Sequence, residues 1–228
     1  YFEEGFKFWK NYLKIGKSGI IGGIGLGIAM ISFIYSITNT TAAITLLCLA
    51  AMPFFTALLA FIFLKEQISF NVWLSIIIAA IGIGIMAFGN NGENSLIGLI
   101  FGITSSVGFS VFSVSLRWRK ETPKFTTVAV AGLFCFVIAT IMILLKGQVF
   151  FSTSYNSTLF SLHGTLVCLG LILYSIGSKA IPAAELTLLS LTEVIGGIFW
   201  VWLPIFGINE VPDTNTIIGG FFLFMSLF

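Results

Sequence analysis

In the stretch ELTLLSLTEVIGGIFWVW, residues 185–202, Glu193 stands with no charged residue within seven positions on either side. A charged side chain deep in an apolar helix costs on the order of 3 kcal/mol even by lenient insertion scales. Such a carboxylate persists by facing a polar cavity, by pairing, or by taking up a proton. Two readings follow: a proton-titrating or substrate-contacting group, or a protonated glutamate hydrogen-bonded between helices. At about 3.6 residues per turn, Glu185, Leu189, Thr192, Glu193, Gly196 and Trp200 share one helix face. Glu185 differs from Glu193, because it lies near the start of the helix and close to Lys179, where a helix N-terminus favours a carboxylate. Trp202 reads as an interfacial anchor, whereas Trp200 is on the Glu193 face and is a candidate to line a cavity.

The elements that position these residues follow from composition. The chain has 228 residues, 57% hydrophobic and 9% charged, with a mean hydropathy of +1.07. Soluble domains carry about 25% charge, and this chain cannot cover a surface with what it has. Continuous apolar blocks of roughly 18 residues or more recur, which indicates membrane-spanning helices and not the short alternating strands of a β-barrel. The fold class is an all-α polytopic membrane protein. Eight spans, labelled A to H, are expected near 18–38, 42–64, 70–89, 96–116, 125–145, 161–178, 184–206 and from 215 to the end. The last is too short to cross a core of roughly 30 Å and reads as truncated.

Several function classes lose support. Cys48, Cys135 and Cys168 lie inside apolar blocks and imply no disulfide framework. The one histidine, His163, is expected at the outer start of helix F, so no cluster of metal ligands is indicated and no cofactor is implied. GIIGGIGLG in helix A has neither a preceding strand nor a phosphate-binding lysine, so its glycines read as close helix packing. No basic patch resembles a nucleic-acid surface, because the lysines and arginines fall between spans.

Those loop charges give an orientation. Lys7, Lys10, Lys14, Lys17, Lys65, Arg117, Arg119, Lys120, Lys124 and Lys179 fall on one side and only Lys146 on the other. The positive-inside rule places the first side, and both termini, in the cytoplasm.

An internal repeat is also readable. TTAAITLLCLAAMPFF (41–56) aligns with PAAELTLLSLTEVIGG (182–197), so helix B corresponds to helix G five spans later. An odd offset makes the copies antiparallel, which is an inverted repeat of the kind found in transporters, with substrate held between the copies. On helix B, Thr41, Thr45, Cys48, Met52 and Thr56 share a face, and Met52 occupies the position equivalent to Glu193. Pro53 removes a backbone hydrogen bond in mid-span and is a hinge candidate, with a packing kink as the alternative. Helix D adds a small-polar stripe of Gly102, Ser106, Ser110 and Ser113, a pattern that serves helix packing more often than ligand binding. The candidate pathway residues are Glu193, Thr192, Gly196, Trp200, Thr45, Cys48, Met52, Ser106 and Ser110.

These motifs carry a family resemblance. Ala42-Ala43, Pro53 and Lys65-Glu66, then Pro182-Ala183-Ala184, Thr192-Glu193-Val194, Asn209-Glu210-Val-Pro212 and Gly219-Gly220, resemble the EamA-like permeases of the drug/metabolite transporter superfamily. Ser75 replaces the usual glycine and Val194 the second proline. The resemblance implies two inverted five-helix repeats, of which residues 1–92 would be a partial first copy and 93–228 the second, eight spans of ten. It further implies a secondary-active permease or exporter of small metabolites working by alternating access, with proton coupling through Glu193 as one form. Its partners would be a small-molecule substrate, the lipid bilayer of a bacterial inner membrane and, as an open option, a second copy in a homodimer. A non-transporting or incomplete scaffold is the alternative. A membrane-embedded enzyme lacks a nucleophile–base pair and is disfavoured. The orientation is checked with reporter insertions: phosphatase placed in 147–153 should be active and in 117–124 inactive, and the reverse pattern contradicts it.

Overall fold

In hydrocarbon no water is present to satisfy a backbone amide, so apolar blocks of this length close their hydrogen bonds within helices. The computed structural model describes residues 14–40, 42–89, 96–119, 122–147, 153–203 and 214–226, and no strand occurs among them. Helix A is α1 (Gly16–Asn39). Helix B is divided into α2 (Ala42–Leu49), α3 (Met52–Leu59) and a π-helical turn, Ala60–Leu64. Helices C, D, E and F are α4 (Phe70–Gly89), α5 (Leu96–Trp118), α6 (Lys124–Lys146) and α7 (Ser154–Gly177). Helix G is divided into α8 (Ala183–Leu189) and α9 (Leu191–Trp202), and helix H is α10 (Thr214–Met225). Among the described residues, five segments are long and apolar enough to cross a membrane: Gly16–Asn39, Ile44–Leu64, Leu96–Trp118, Lys124–Lys146 and Ser154–Gly177. The chain is an integral membrane protein with a polytopic helical fold.

One expected boundary moves. Helix F starts at Ser154, not near 161, with the Thr153 hydroxyl accepting from the Asn156 amide as its N-cap. The first turns are rich in serine and threonine, which lowers hydropathy and reads as loop. Their hydroxyls instead donate to carbonyls four residues back: Thr158 to Ser154 at 3.0 Å, Ser161 to Ser157 at 2.9 Å and Thr165 to Ser161 at 2.8 Å. His163 is therefore inside α7, exposed, and does not start the helix.

Packing is organised around α1 and α5, which run along each other for most of their length. Gly25 and Gly108 make the crossing possible: a Cβ on Gly108 would sit 2.6 Å from the Gly25 carbonyl oxygen. The opposite glycine face of α1 meets α6, where a Cβ on Gly23 would meet Val130 at 2.6 Å and one on Gly27 would meet Phe134 at 2.6 Å. Without a hydrophobic driving force between helices in lipid, such backbone proximity supplies the dispersion contact that holds them. A second core joins helices B, C, G and H through Leu46, Met52, Ile76, Ala184, Leu191, Val194 and Leu223. Within it the half-helices pair, α3 with α8 and α2 with α9, while α4 lies along α10.

Gly108→Ala should destabilise the protein by about 1–3 kcal/mol, since neither backbone can yield without shifting a helix. Gly132→Ala, where a Cβ would meet nothing within 4 Å, should leave stability essentially unchanged. Thermal unfolding in nanodiscs compares the two; equal shifts would contradict this account of the crossing.

Candidate functional site

Helix B breaks at Ala50 and Ala51. Ala50 N–H still donates to Leu46 at 3.0 Å, but Ala51 N–H turns back to Cys48 at 3.2 Å, one residue short of the α pattern. Pro53 in the first turn of α3 brings no N–H to the carbonyl four residues back, that of Leu49. The carbonyls flanking the break are met from α5. Ser106 Oγ donates to the Cys48 carbonyl, and Ser110 Oγ donates to the Met52 carbonyl at 3.1 Å. Thr45 Oγ1 pairs with Ser36 Oγ of α1 at 2.9 Å, and Ser36 also donates to the Gly98 carbonyl at 2.9 Å. Thr45, Cys48, Ser106 and Ser110 are thus brought together, all buried, on the interface between helix B and α5. Fully buried Thr56 has no hydrogen-bond partner for its hydroxyl. On the side toward α4, the break borders an apolar pocket of about 230 Å³ lined by Ala50, Ala51, Pro53, Phe54, Ile76 and Ala79, among others.

Helix G breaks at Ser190, the residue equivalent to Leu49 in the repeat alignment. No proline causes it. Ser190 Oγ donates to the Thr187 carbonyl at 2.7 Å and Thr192 Oγ1 to the Leu189 carbonyl at 2.8 Å, while the Glu193 amide turns back three residues to Ser190 at 2.9 Å. Hydroxyls competing for main-chain carbonyls do here what Pro53 does in helix B. Glu193 accordingly stands in the first turn of α9.

The two candidate walls do not meet. Ala183, Ala184, Thr187, Leu188, Leu191 and Val194 are buried, and Met52 shares their apolar cluster with Leu188, Leu191 and Val194. The other face of helix G, with Glu185, Leu189, Thr192, Glu193 and Trp200, is exposed, and Gly196 is half-buried with nothing within 4 Å of a Cβ placed there. Glu193 and its neighbours therefore look out from the open side of the bundle, while Thr45, Cys48, Ser106 and Ser110 are sealed on the far side of helix B.

A group of residues at the basic end of the helices was not evident from sequence. Glu66 Oε1 accepts from Arg117 Nε at 2.8 Å. Arg117 Nη1 also donates to the Ile181 carbonyl at 2.8 Å and, more weakly, to that of Ser178 at 3.4 Å. Lys124, buried at the start of α6, donates to Ser178 Oγ at 2.8 Å. Glu66 is aimed by the π-helical turn and by Lys65, which takes a left-handed φ of 54°. That conformation costs a non-glycine residue about 1–2 kcal/mol. Glu66 and Arg117 are 51 residues apart, and only the placement of Glu66 in a helix-end motif hinted at a role.

Comparison with known proteins bears on what such a bundle does. Residues 2–88 match the EamA-like transporter family. The uncharacterized transporter YdfC of Bacillus subtilis (strain 168) is 27% identical over 233 residues, covering 95% of this chain and 64% of that protein. An uncharacterized transporter of Clostridium kluyveri is 26% identical over 212 residues, covering 88% of this chain and 66% of its own length. The chain thus spans about two thirds of the length of these relatives. A crystal structure of a protein 15% identical shares the fold, with a TM-score of 0.68 over 92% of this chain and 74% of the other. The family match covers helices A to C, and the similarity to the two transporters extends over most of the remaining helices.

Proposed function

We propose that this membrane transporter moves small solutes by alternating access along the open face of helix G, with Glu193 as the group that binds a proton or contacts the solute. The observation that carries this is the position of Glu193: a lone carboxylate in the first turn after a helix break, on the exposed side of α9. Exposed to lipid, it would bear the cost of a charge in hydrocarbon, so a polar route along this face is the economical reading. Half-helix termini at mid-depth are also where transporters of this architecture hold solutes and coupling ions.

The inverted repeat supports the same reading. Helices B and G break within two residues of equivalent positions, and the inner halves α3 and α8 lie together, as do the outer halves α2 and α9. Two antiparallel broken helices paired through both halves can rock about the level of their breaks, with Pro53 and Ser190 as the hinges. Met52 replaces the carboxylate in helix B, so the chemistry is carried by one copy only. The loop charges place the α3–α8 end in the cytoplasm, and the bacterial relatives fit an inner-membrane location. The exposed face offers Thr192, Glu193 and Trp200 and no basic side chain in α9, which favours neutral, zwitterionic or cationic solutes.

The test uses the full-length gene product in proteoliposomes and a panel of such solutes. A transported solute should show uptake or release driven by a pH gradient, and Glu193→Gln should abolish that dependence while leaving thermal unfolding unchanged. Retained pH dependence would remove the proton role, and absence of flux for every solute would favour a scaffold.

A further inference from the structure

The charged contacts at the basic end of the bundle have a geometry that ordinary helix packing does not require. Arg117, in the last turn of α5, reaches two separate segments: Glu66 just after helix B, and the connection between helices F and G through the Ser178 and Ile181 carbonyls. A surface pair of this kind contributes little when both ends are free in water, but each of these side chains is only 25% exposed. Removing either partner would strand the other charge half-buried, which is the expensive direction.

Directly inside this pair is a dry contact. Ala60, Val114 and Ala183 form a buried cluster, with Leu59 and Leu64 packed against it. Each is tied to, or within three residues of, a member of the ionic group. The Glu66 amide donates to the Ala60 carbonyl at 3.3 Å, Val114 is three residues before Arg117, and Ala183 is two after Ile181. The three helices that meet here are the inner half of B, the inner half of G and α5. They are held together by the buried Ala60–Val114–Ala183 contact and by the Arg117 guanidinium, which ties α5 to the end of helix B and to the segment that precedes helix G. The π-helical turn and left-handed Lys65 are the local distortion that brings Glu66 over the contact. π-Turns are frequent where a helix is shaped for function.

We propose that Arg117 and Glu66 form a latch over an Ala60–Val114–Ala183 plug, together the cytoplasmic gate of the transport path, and that this structure has the gate closed. The proposal rests on the alternating-access reading above. Opening the path inward requires α8 to part from α3, which breaks the Arg117 contacts to the Ser178–Ile181 segment and to Glu66. The latch therefore sets how often the inward-open form is visited: neutralising either charge shifts the population toward it.

The test reads chemical access to a thiol and not flux, so a failed latch and a failed transport reading are distinguishable. In the full-length gene product with Cys48, Cys135 and Cys168 replaced by alanine, Ala183→Cys is introduced and inverted membrane vesicles are treated with an impermeant cationic thiol reagent. The intact pair should give slow labelling, and Glu66→Gln should speed it roughly tenfold, as a shift in the open population would. Arg117→Gln should do the same, and it decides the matter alone if the Glu66 variant does not reach the membrane. Rapid labelling with the pair intact, or unchanged rates in the variants, would overturn the proposal. So would an equal rise for a thiol at Ala29 in the α1–α5 crossing, because the whole bundle would then have loosened.

Discussion

The structure depends on one requirement: every main-chain polar group at membrane depth needs a partner within the protein. An unbroken helix meets it alone. Helix B is interrupted at Ala50-Ala51 and Pro53, which takes the helical donor from the Leu49 carbonyl, and α5 adds hydrogen bonds from Ser106 and Ser110 to the neighbouring Cys48 and Met52 carbonyls. Those hydrogen bonds hold α5 against helix B, and the Gly25–Gly108 crossing holds α1 against α5. Helix G meets the same requirement differently, with Ser190 and Thr192 supplying hydrogen bonds to its own carbonyls. The consequence is an asymmetry between two otherwise matching helices. The break in B is sealed by a neighbour, and the break in G is self-supporting, which leaves its outer face without a structural duty.

The charged groups divide accordingly. Arg117 and Glu66 act at the helix ends, where partial exposure lets a salt bridge form and break at modest cost. In the proposed mechanism Glu193 acts at depth, where a carboxylate must change its protonation or its partner to be tolerated. In that mechanism, a gate at the helix ends and a binding group at the break divide the work of alternating access between two places that the same half-helix, α8, connects.

Much of this was legible in the sequence. The apolar blocks fixed the helices because length and hydropathy leave few other options in a bilayer, and Pro53 announced the interruption of helix B. Helical periodicity grouped Glu185, Leu189, Thr192, Glu193, Gly196 and Trp200, and the structure has all of them exposed except the half-buried Gly196. Periodicity could not say which way that face looks, since arithmetic along one helix carries no information about its neighbour. The break at Ser190 was hidden because Val194 occupies the proline position and hydroxyl back-bonding depends on rotamers. The start of helix F was hidden for the same reason, in Thr158, Ser161 and Thr165. The Arg117–Glu66 pair joins residues too distant in sequence for any local pattern to link.

The central claim is that the outward face of helix G borders a polar route and not lipid. The most direct measurement is a cysteine scan of residues 184–197 in the full-length protein, with the native cysteines replaced and an impermeant thiol reagent applied from each side of the membrane. The account predicts labelling at Leu189→Cys, Thr192→Cys and Gly196→Cys and protection at Leu188→Cys, Leu191→Cys and Val194→Cys. Protection of both sets from water-borne reagent, with Leu189→Cys and Gly196→Cys reacting only with a lipid-soluble probe, would contradict it.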